Sequence, residues 1–399
     1  MVRKIGASRI FTLSGPVIEN GVLEVDESGY ITSVGKFSGS RQMKDADFFE
    51  GMLIPGFVNT HCHLELSHLK GRITREKGIG YFIGEINRQR AAGDDEMIRS
   101  AALAEQEMYR QGIVAAGDIS NTPVTIEIKK RSRLQWLTFV ETFGFHPSRA
   151  EKAIGEAKHI LGLFREAGLF ASIVPHSPYS VSHELFGMIR KLSRDECSVI
   201  SMHNQESMAE KQLFHTGDGP ILEHITRNLG LDASHWVPSG KSSLETILPL
   251  LPDNLPLLLV HNTFTSKNDI RLLKQAASGR KQPVWMVLCP NSNLYIGKTL
   301  PPAEMFRKEK MDLCIGTDSL ASNEELSLLS EIKTLHFHFP GIPLEEMFRW
   351  ACLNGAHALG MNDRYGSFEA GKKPGILLVS PVDLKNRSLT PSSHVQRLA

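Results

Sequence analysis

An α/β fold, in which βα units repeat around a barrel of parallel strands while both chain ends share one small β unit, is predicted by three features of the sequence. Short β-like runs alternate with turns over the first fifty residues, and the last forty resume that texture. Between them, apolar runs of five to seven residues alternate with longer stretches of helical period. The gaps between the apolar runs each have room for a crossover helix, which parallel strands require.

The N-terminal runs lie at 9–13, 21–25 and 30–34, separated by Ser14-Gly15, Glu27-Ser28-Gly29 and Ser38-Gly39-Ser40, residue types that turn a chain between strands. Barrel strands are expected near 53–60, 113–117, 134–140, 170–175, 198–202, 257–260, 284–288 and 312–316, eight in all. Helices fill several gaps. One spans 94–111 and opens on Asp94, Asp95 and Glu96; another spans 149–167 and is rich in Ala, Glu and Lys. A turn-rich stretch, 366–372, leads into a last strand at 375–380. The expected division is a small β domain from residues 1–54 plus 361–399 and a barrel from 55–360.

Composition narrows the partners. Forty-five Lys and Arg against 44 Asp and Glu leave a net charge of +1, so no global field draws the protein to nucleic acid or an anionic membrane. A small-molecule substrate is the expected partner, with no nucleic acid and no membrane, and a homodimer is left open. Apolar stretches such as 255–260 and 376–379 fall far short of the roughly 18 residues of a membrane span. Arg3, Lys4 and Arg9 are followed by Ser14, Gly15, Pro16 and Glu19 before any apolar core of a signal develops. Five scattered cysteines without CxxC spacing suit reduced thiols. The expected address is the cytoplasm.

Reactive groups of such barrels sit at the C-terminal ends of the strands. The residues just past the apolar runs are polar almost throughout: His61 and His63, Asp118, Glu141, His176, His203, His261, Cys289 with Asn291, and Asp318. His61 and His63, two apart at a strand end, point to the same side and can grip one metal ion. With 16 His in 399 residues, chance supplies about 0.6 such pairs, and His336-Phe337-His338 is a second one. That pair lies in a helical pattern, where residues two apart diverge. His203 is followed three residues later by Glu206, a carboxylate placed as a general acid/base must be, just beyond a metal ligand. Each residue also has a plain reading: a strand-end His serves as an ordinary hydrogen-bonded group, and Asp318 alone reads as a helix cap. The glycine-rich stretch 77–84 has neither GxGxxG nor Walker A spacing and is read as a lid over the barrel mouth. Cys289 is read as a small buried hydrophobe.

Six pieces in order, Pro55-Gly56-Phe57-Val58-Asn59-Thr60-His61-Cys62-His63, Pro175-His176-Ser177-Pro178-Tyr179-Ser180, His203 with Glu206, Val260-His261-Asn262-Thr263, Cys289-Pro290-Asn291-Ser292-Asn293 and Gly316-Thr317-Asp318-Ser319, resemble the amidohydrolase superfamily. The similar branch holds adenosine-type and methylthioadenosine deaminases, guanine deaminase and triazine chlorohydrolases. The resemblance implies a distorted (β/α)8 TIM barrel with a small β-sandwich domain formed by both chain ends. It implies that His61, His63, His203 and Asp318 bind one Zn²⁺ or Fe²⁺, that Glu206 shuttles protons, and that His261 aligns the attacking water; in the expected reaction Asp318 or Glu206 supplies the proton with which ammonia leaves. Three neutral imidazoles would leave such an ion able to bring water from a pKa near 15.7 to about 7. Many relatives bridge two metals with a carboxylated Lys after the fourth strand; no Lys lies between Phe170 and Leu185, so one divalent metal per chain is expected. His176 is then left to contact substrate, or to serve as a turn residue between Pro175 and Pro178. One departure, Gly371-Lys372-Lys373-Pro374-Gly375-Ile376 where relatives show Gly-Lys-x-Ala-Asp-Leu, concerns the small β domain.

The expected reaction is deamination of a purine-like heterocycle. Hydrolysis of a ring amide, or displacement of chloride, keeps the same site and is told apart by the absence of released ammonia. A scaffold that has lost its chemistry would not be expected to keep all five of His61, His63, His203, Glu206 and Asp318. The stretch from His63 to Gly71 looks most like the aminodeoxyfutalosine deaminases of the alternative menaquinone route, which act on a 6-aminopurine nucleoside with a carboxylate-bearing 5′ substituent. Arg72, Arg75 and Lys77, just beyond, are candidate partners for that carboxylate; solvated lid charges are the other reading.

Overall fold

The computed structural model describes residues 2–37, 45–193, 198–277, 279 and 282–399. The expected turn at Ser38-Gly39-Ser40 and Cys197 lie outside the described residues. Strands β1 (Arg3–Ile10), β2 (Ile18–Val25), β3 (Ile31–Lys36) and β4 (Asp47–Pro55) precede the barrel. The barrel strands follow as β5 (Phe57–Cys62), β6 (Ile113–Ser120), β7 (Gln135–Thr142), β8 (Phe170–Pro175), β9 (Ile200–Asn204), β10 (Leu257–His261), β11 (Val284–Leu288) and β12 (Asp312–Ile315). β13 (Ile376–Asp383) and β14 (Ser388–Arg397) close the chain.

β5 to β8 and β9 to β12 pair in sequence as two parallel four-stranded sheets. Side chains and strand ends join them. Ser172 Oγ donates to the Val199 carbonyl (2.8 Å) and the His203 N–H to the His176 carbonyl (2.9 Å) at one seam. At the other, Thr60 Oγ1 donates to the Ile315 carbonyl and the Thr317 N–H to the His61 carbonyl, both at 2.9 Å. Alternation sorts each strand between two cores. Leu258 and Val260 pack with Val58, Phe139, Val174 and Val287 from other strands, whereas Leu257 and Leu259 join the larger cluster that includes the helices. Asp94–Arg110 and Ala150–Glu166 form the two expected helices, and the first buries Met97, Ala101, Ala104 and Met108 at helical spacing. The stretch read as a lid contributes a helix, Ile79–Gln89, over the barrel mouth.

Both chain ends build one six-stranded mixed sheet in the order β14-β13-β4-β1-β2-β3. β1 begins well before the expected run at 9–13, because Gly6 and Ala7, weak strand formers in isolation, are carried by pairing with both β2 and β4. The expected strand at 53–60 is in fact two strands in different sheets. Gly56 is the crossing point: a Cβ there would lie 2.3 Å from Val114 Cγ1 and 2.5 Å from the Pro374 carbonyl oxygen, and its N–H donates to that carbonyl. A continuous apolar run hides such a break, since both strands are buried on both faces.

Gly316 lies where β12 meets β5. A Cβ at this position would sit 2.8 Å from both the Cβ and the carbonyl oxygen of His61. Gly316→Ala is therefore expected to destabilise the protein by about 1–3 kcal/mol, read as a lower unfolding midpoint in denaturant; an unchanged midpoint would show that the seam yields freely. Among the described residues no helix is long and apolar enough to cross a membrane. Cys62, Cys289, Cys314 and Cys352 are free and buried.

Candidate active site and metal centre

Regular alternation would not deliver all the site's side chains to the barrel mouth. On β5 the register against β6 shifts between Asn59 and Cys62, a bulge that re-aims His61. On β10, Val260 already faces the interior, so His261 would point outward in a regular strand; its φ of +73° breaks the alternation. Asp318 (φ +56°) and Gln205 (φ +47°) turn the chain in the same left-handed way after β12 and β9. Such positions, gathered around one barrel mouth, mark backbone strain held at a functional site.

The result is a convergence of ring nitrogens. His61 Nε2 and His63 Nε2 are 3.1 Å apart, and Asp318 Oδ1 lies 3.8 and 3.4 Å from them. Donor atoms of His61, His203 and His261 also fall within 4.8 Å of one another. Burial, then neighbouring imidazoles, holds His61 well below the ordinary histidine range and His203 at about 3. Burial likewise lowers His261 to about 4. These rings are neutral at pH 7, the form that binds metals. Burial works against ionisation of Asp318, but His63, His261 and the Ser292 hydroxyl outweigh it and keep the carboxylate charged. Ser292 Oγ (2.6 Å) and Ser322 Oγ (2.9 Å) donate to Asp318 Oδ2, leaving Oδ1 toward the histidines. The Nδ1 of His203 faces the His176 carbonyl at 2.9 Å, and that of His261 the Asn293 side-chain amide at 3.1 Å. The buried His261 Nε2 has no hydrogen-bond partner among the described residues. Neutral nitrogens and one carboxylate, aimed together at one point, fit a divalent metal.

Glu206 stands beside this cluster, its Oε1 3.7 Å from His261 Nε2. Its loop is clamped by Glu210, whose two carboxylate oxygens accept the N–H groups of Gln205 and Glu206 at 3.0 and 3.1 Å. Burial, then the charges of Asp318 and Glu210, pushes the Glu206 carboxyl well above its ordinary range. A cavity of about 460 Å³ opens onto His63, His203, Glu206, His261 and Asp318, a size suited to a small-molecule ligand. His176 is in its wall, with Nδ1 2.7 Å from Ser180 Oγ and its ring 4.4 Å from that of Phe143.

Arg72 and Arg75, the candidate partners for a distal carboxylate, are not in that wall. Arg72 pairs with Glu96, and Arg75 pairs with Glu324 at 3.0 Å and lies over the Tyr295 ring. Helix Ile79–Gln89 supplies wall residues in their place, and its C-terminal neighbour Arg90 lines the cavity together with Arg149. Lys77 borders a second cavity of about 650 Å³ that shares Ile79, Glu206 and His224 with the first. Glu141 and Asn121 are wall residues too. Glu141 is visible in the sequence as a strand-end carboxylate without a role; nothing in the sequence marks Arg90 or Arg149. His336 and His338 diverge as helical spacing requires, the first toward Ser388 Oγ, the second toward the Thr334 carbonyl. Cys289 is fully buried, and burial raises its thiol well above the ordinary range.

The profile described as "Amidohydrolase family" matches residues 52–397. The chain belongs to the amidohydrolase family. It is 28% identical over 381 residues to an adenosine deaminase of Helicobacter pylori, covering 92% of this chain and 90% of that one. To a 5-methylthioadenosine/S-adenosylhomocysteine deaminase of Bacillus cereus it is 26% identical over 386 residues, covering 92% and 82%. Its fold is shared with the crystal structure of H. pylori aminofutalosine deaminase in complex with methylthio-coformycin (TM-score 0.79, 23% identity, 97% and 93% covered). A zinc-bound adenosine deaminase from Xanthomonas campestris has the same fold (TM-score 0.73, 22% identity, 97% and 86% covered). This amidohydrolase is thus a hydrolytic enzyme that acts on carbon–nitrogen bonds, in a family whose members usually bind a metal.

Proposed function

We propose that this amidohydrolase is a metal-dependent deaminase of a 6-aminopurine nucleoside. The observation that carries the reading is the convergence of His61, His63, His203 and Asp318 beside Glu206 and His261, at a cavity that all of them but His61 line. The first four would hold one divalent ion, Zn²⁺ or Fe²⁺. Such an ion, when bound, supplies Lewis acidity that makes hydroxide available from water near neutral pH.

The remaining work falls to the chain's own groups. His261, with Nδ1 engaged by Asn293, has its other nitrogen free to hydrogen-bond the incoming oxygen at the purine carbon. Glu206, screened from solvent, carries a proton to the adjacent ring nitrogen; it or Asp318 then protonates the amine that leaves as ammonia. His176 and Phe143 offer flat faces to the substrate, and His146 and Arg149 line the same cavity. Arg149 and Arg90 take the part that Arg72 and Arg75 were expected to play toward a distal carboxylate.

An aminodeoxyfutalosine-like nucleoside is accordingly the proposed substrate. Its kcat/KM is expected to exceed that of adenosine by more than about tenfold, because the distal group adds binding that adenosine lacks. Ammonia release from both, and from methylthioadenosine, guanine and a chlorotriazine, tests it. Turnover led by guanine or the triazine, or no turnover at all, would overturn the nucleoside reading.

A further inference from the structure

Asp118 and Lys129 form an ion pair, Nζ to Oδ2 2.6 Å, with both side chains wholly buried. Lys129 belongs to the short helix Ile126–Arg131 and reaches inward between strands, also donating to Ser120 Oγ (3.1 Å) and Thr138 Oγ1 (2.9 Å). Phe164 and Trp136 stack about its ammonium, 4.9 and 5.5 Å from their ring centres. Neither charge touches the cavity. Buried pairs of this kind commonly add nothing to stability that apolar side chains of similar volume would not, so its presence calls for another account.

The other oxygen of Asp118 supplies one. Oδ1 accepts the Leu64 N–H at 2.7 Å and faces Cys62 Sγ at 3.5 Å. Those residues flank His63, which lies just past the end of β5, where the ladder with β6 no longer holds the backbone. Ser120 Oγ (3.0 Å) and Lys129 saturate Oδ2, so the carboxylate cannot rotate away from the turn.

We infer that Asp118, anchored by Lys129, is a positioning residue that fixes the turn carrying His63 and thereby sets the His61–His63 pair for metal. This rests on the ligand assignment proposed above. The pair acts through the backbone on either side of a ligand, so it governs metal affinity while the fold has other supports.

The test is Co²⁺ titration, followed by the visible absorption of bound Co²⁺, on metal-free wild type, Asp118→Asn, and the double variant Asp118→Leu with Lys129→Met. Unfolding midpoints of the metal-free proteins are measured alongside. The double variant is expected to keep its metal-free midpoint and to bind Co²⁺ about 10- to 100-fold more weakly with an altered spectrum. Asp118→Asn keeps an oxygen for the Leu64 N–H and is expected to stay closer to wild type in both affinity and spectrum. Wild-type affinity and spectrum in the double variant would overturn the inference, as would a double variant that does not fold, since the pair would then carry the fold and not the ligand turn. Failure of wild type itself to bind Co²⁺ would instead overturn the ligand assignment.

Discussion

Replacing Glu206 by Gln is expected to lower kcat by at least about 10²-fold while metal content and the unfolding midpoint stay near wild type. The side chain is almost fully buried, 3.7 Å from His261 Nε2, and burial with nearby Asp318 and Glu210 raises its carboxyl above the ordinary range. A carboxyl so raised holds a proton more readily than an ordinary one and can pass it on, which an amide of the same shape cannot do. The loop is held by Glu210 through the backbone of residues 205 and 206, so the substitution leaves its position intact. Steady-state kinetics with metal analysis of the same sample gives the answer. Activity within a few-fold of wild type would take Glu206 out of the mechanism.

Removing the metal with a chelator should abolish turnover, by about 10³-fold or more, since Lewis acidity is worth several kcal/mol and each 1.4 kcal/mol is tenfold in rate. One equivalent of Zn²⁺ or Fe²⁺ per chain should restore it. The double variant His61→Ala with His203→Ala should neither retain metal nor recover. A second group, Glu141, His176 and His203, also brings donor atoms within 4.8 Å, yet the Nδ1 of His203 is already engaged by the His176 carbonyl. One ion is therefore expected. A clean two-to-one stoichiometry, or full metal in the double variant, would reject the assignment.

The barrel was legible in the sequence because its signal is local. Each parallel strand is buried on both faces and reads as an apolar run, each crossover reads as a helix, and the order of the pieces does not depend on tertiary contacts. The polar residue after each run could be read for the same reason: strand ends place it at one face of the barrel. His61, His63, His203, Glu206, His261 and Asp318 all come from that rule together with the family resemblance, and all six meet beside the cavity.

What only the tertiary structure decided concerns groups whose partners lie far off in the chain. Gly56 divides one apolar run between two sheets because Val114 and Pro374 close on it. Arg72 and Arg75 are drawn to Glu96 and Glu324, while Arg90 and Arg149 reach the cavity without any local mark. Lys129 reads as one more charge in the basic run Lys129-Lys130-Arg131, yet it is buried against Asp118. Whether a charged side chain is solvated, paired or aimed at a ligand depends on what folds over it, and spacing along the chain carries no record of that. Residue type and periodicity determined the scaffold and the polar groups at its strand ends; distant packing determined which cations line the cavity and which are paired away from it.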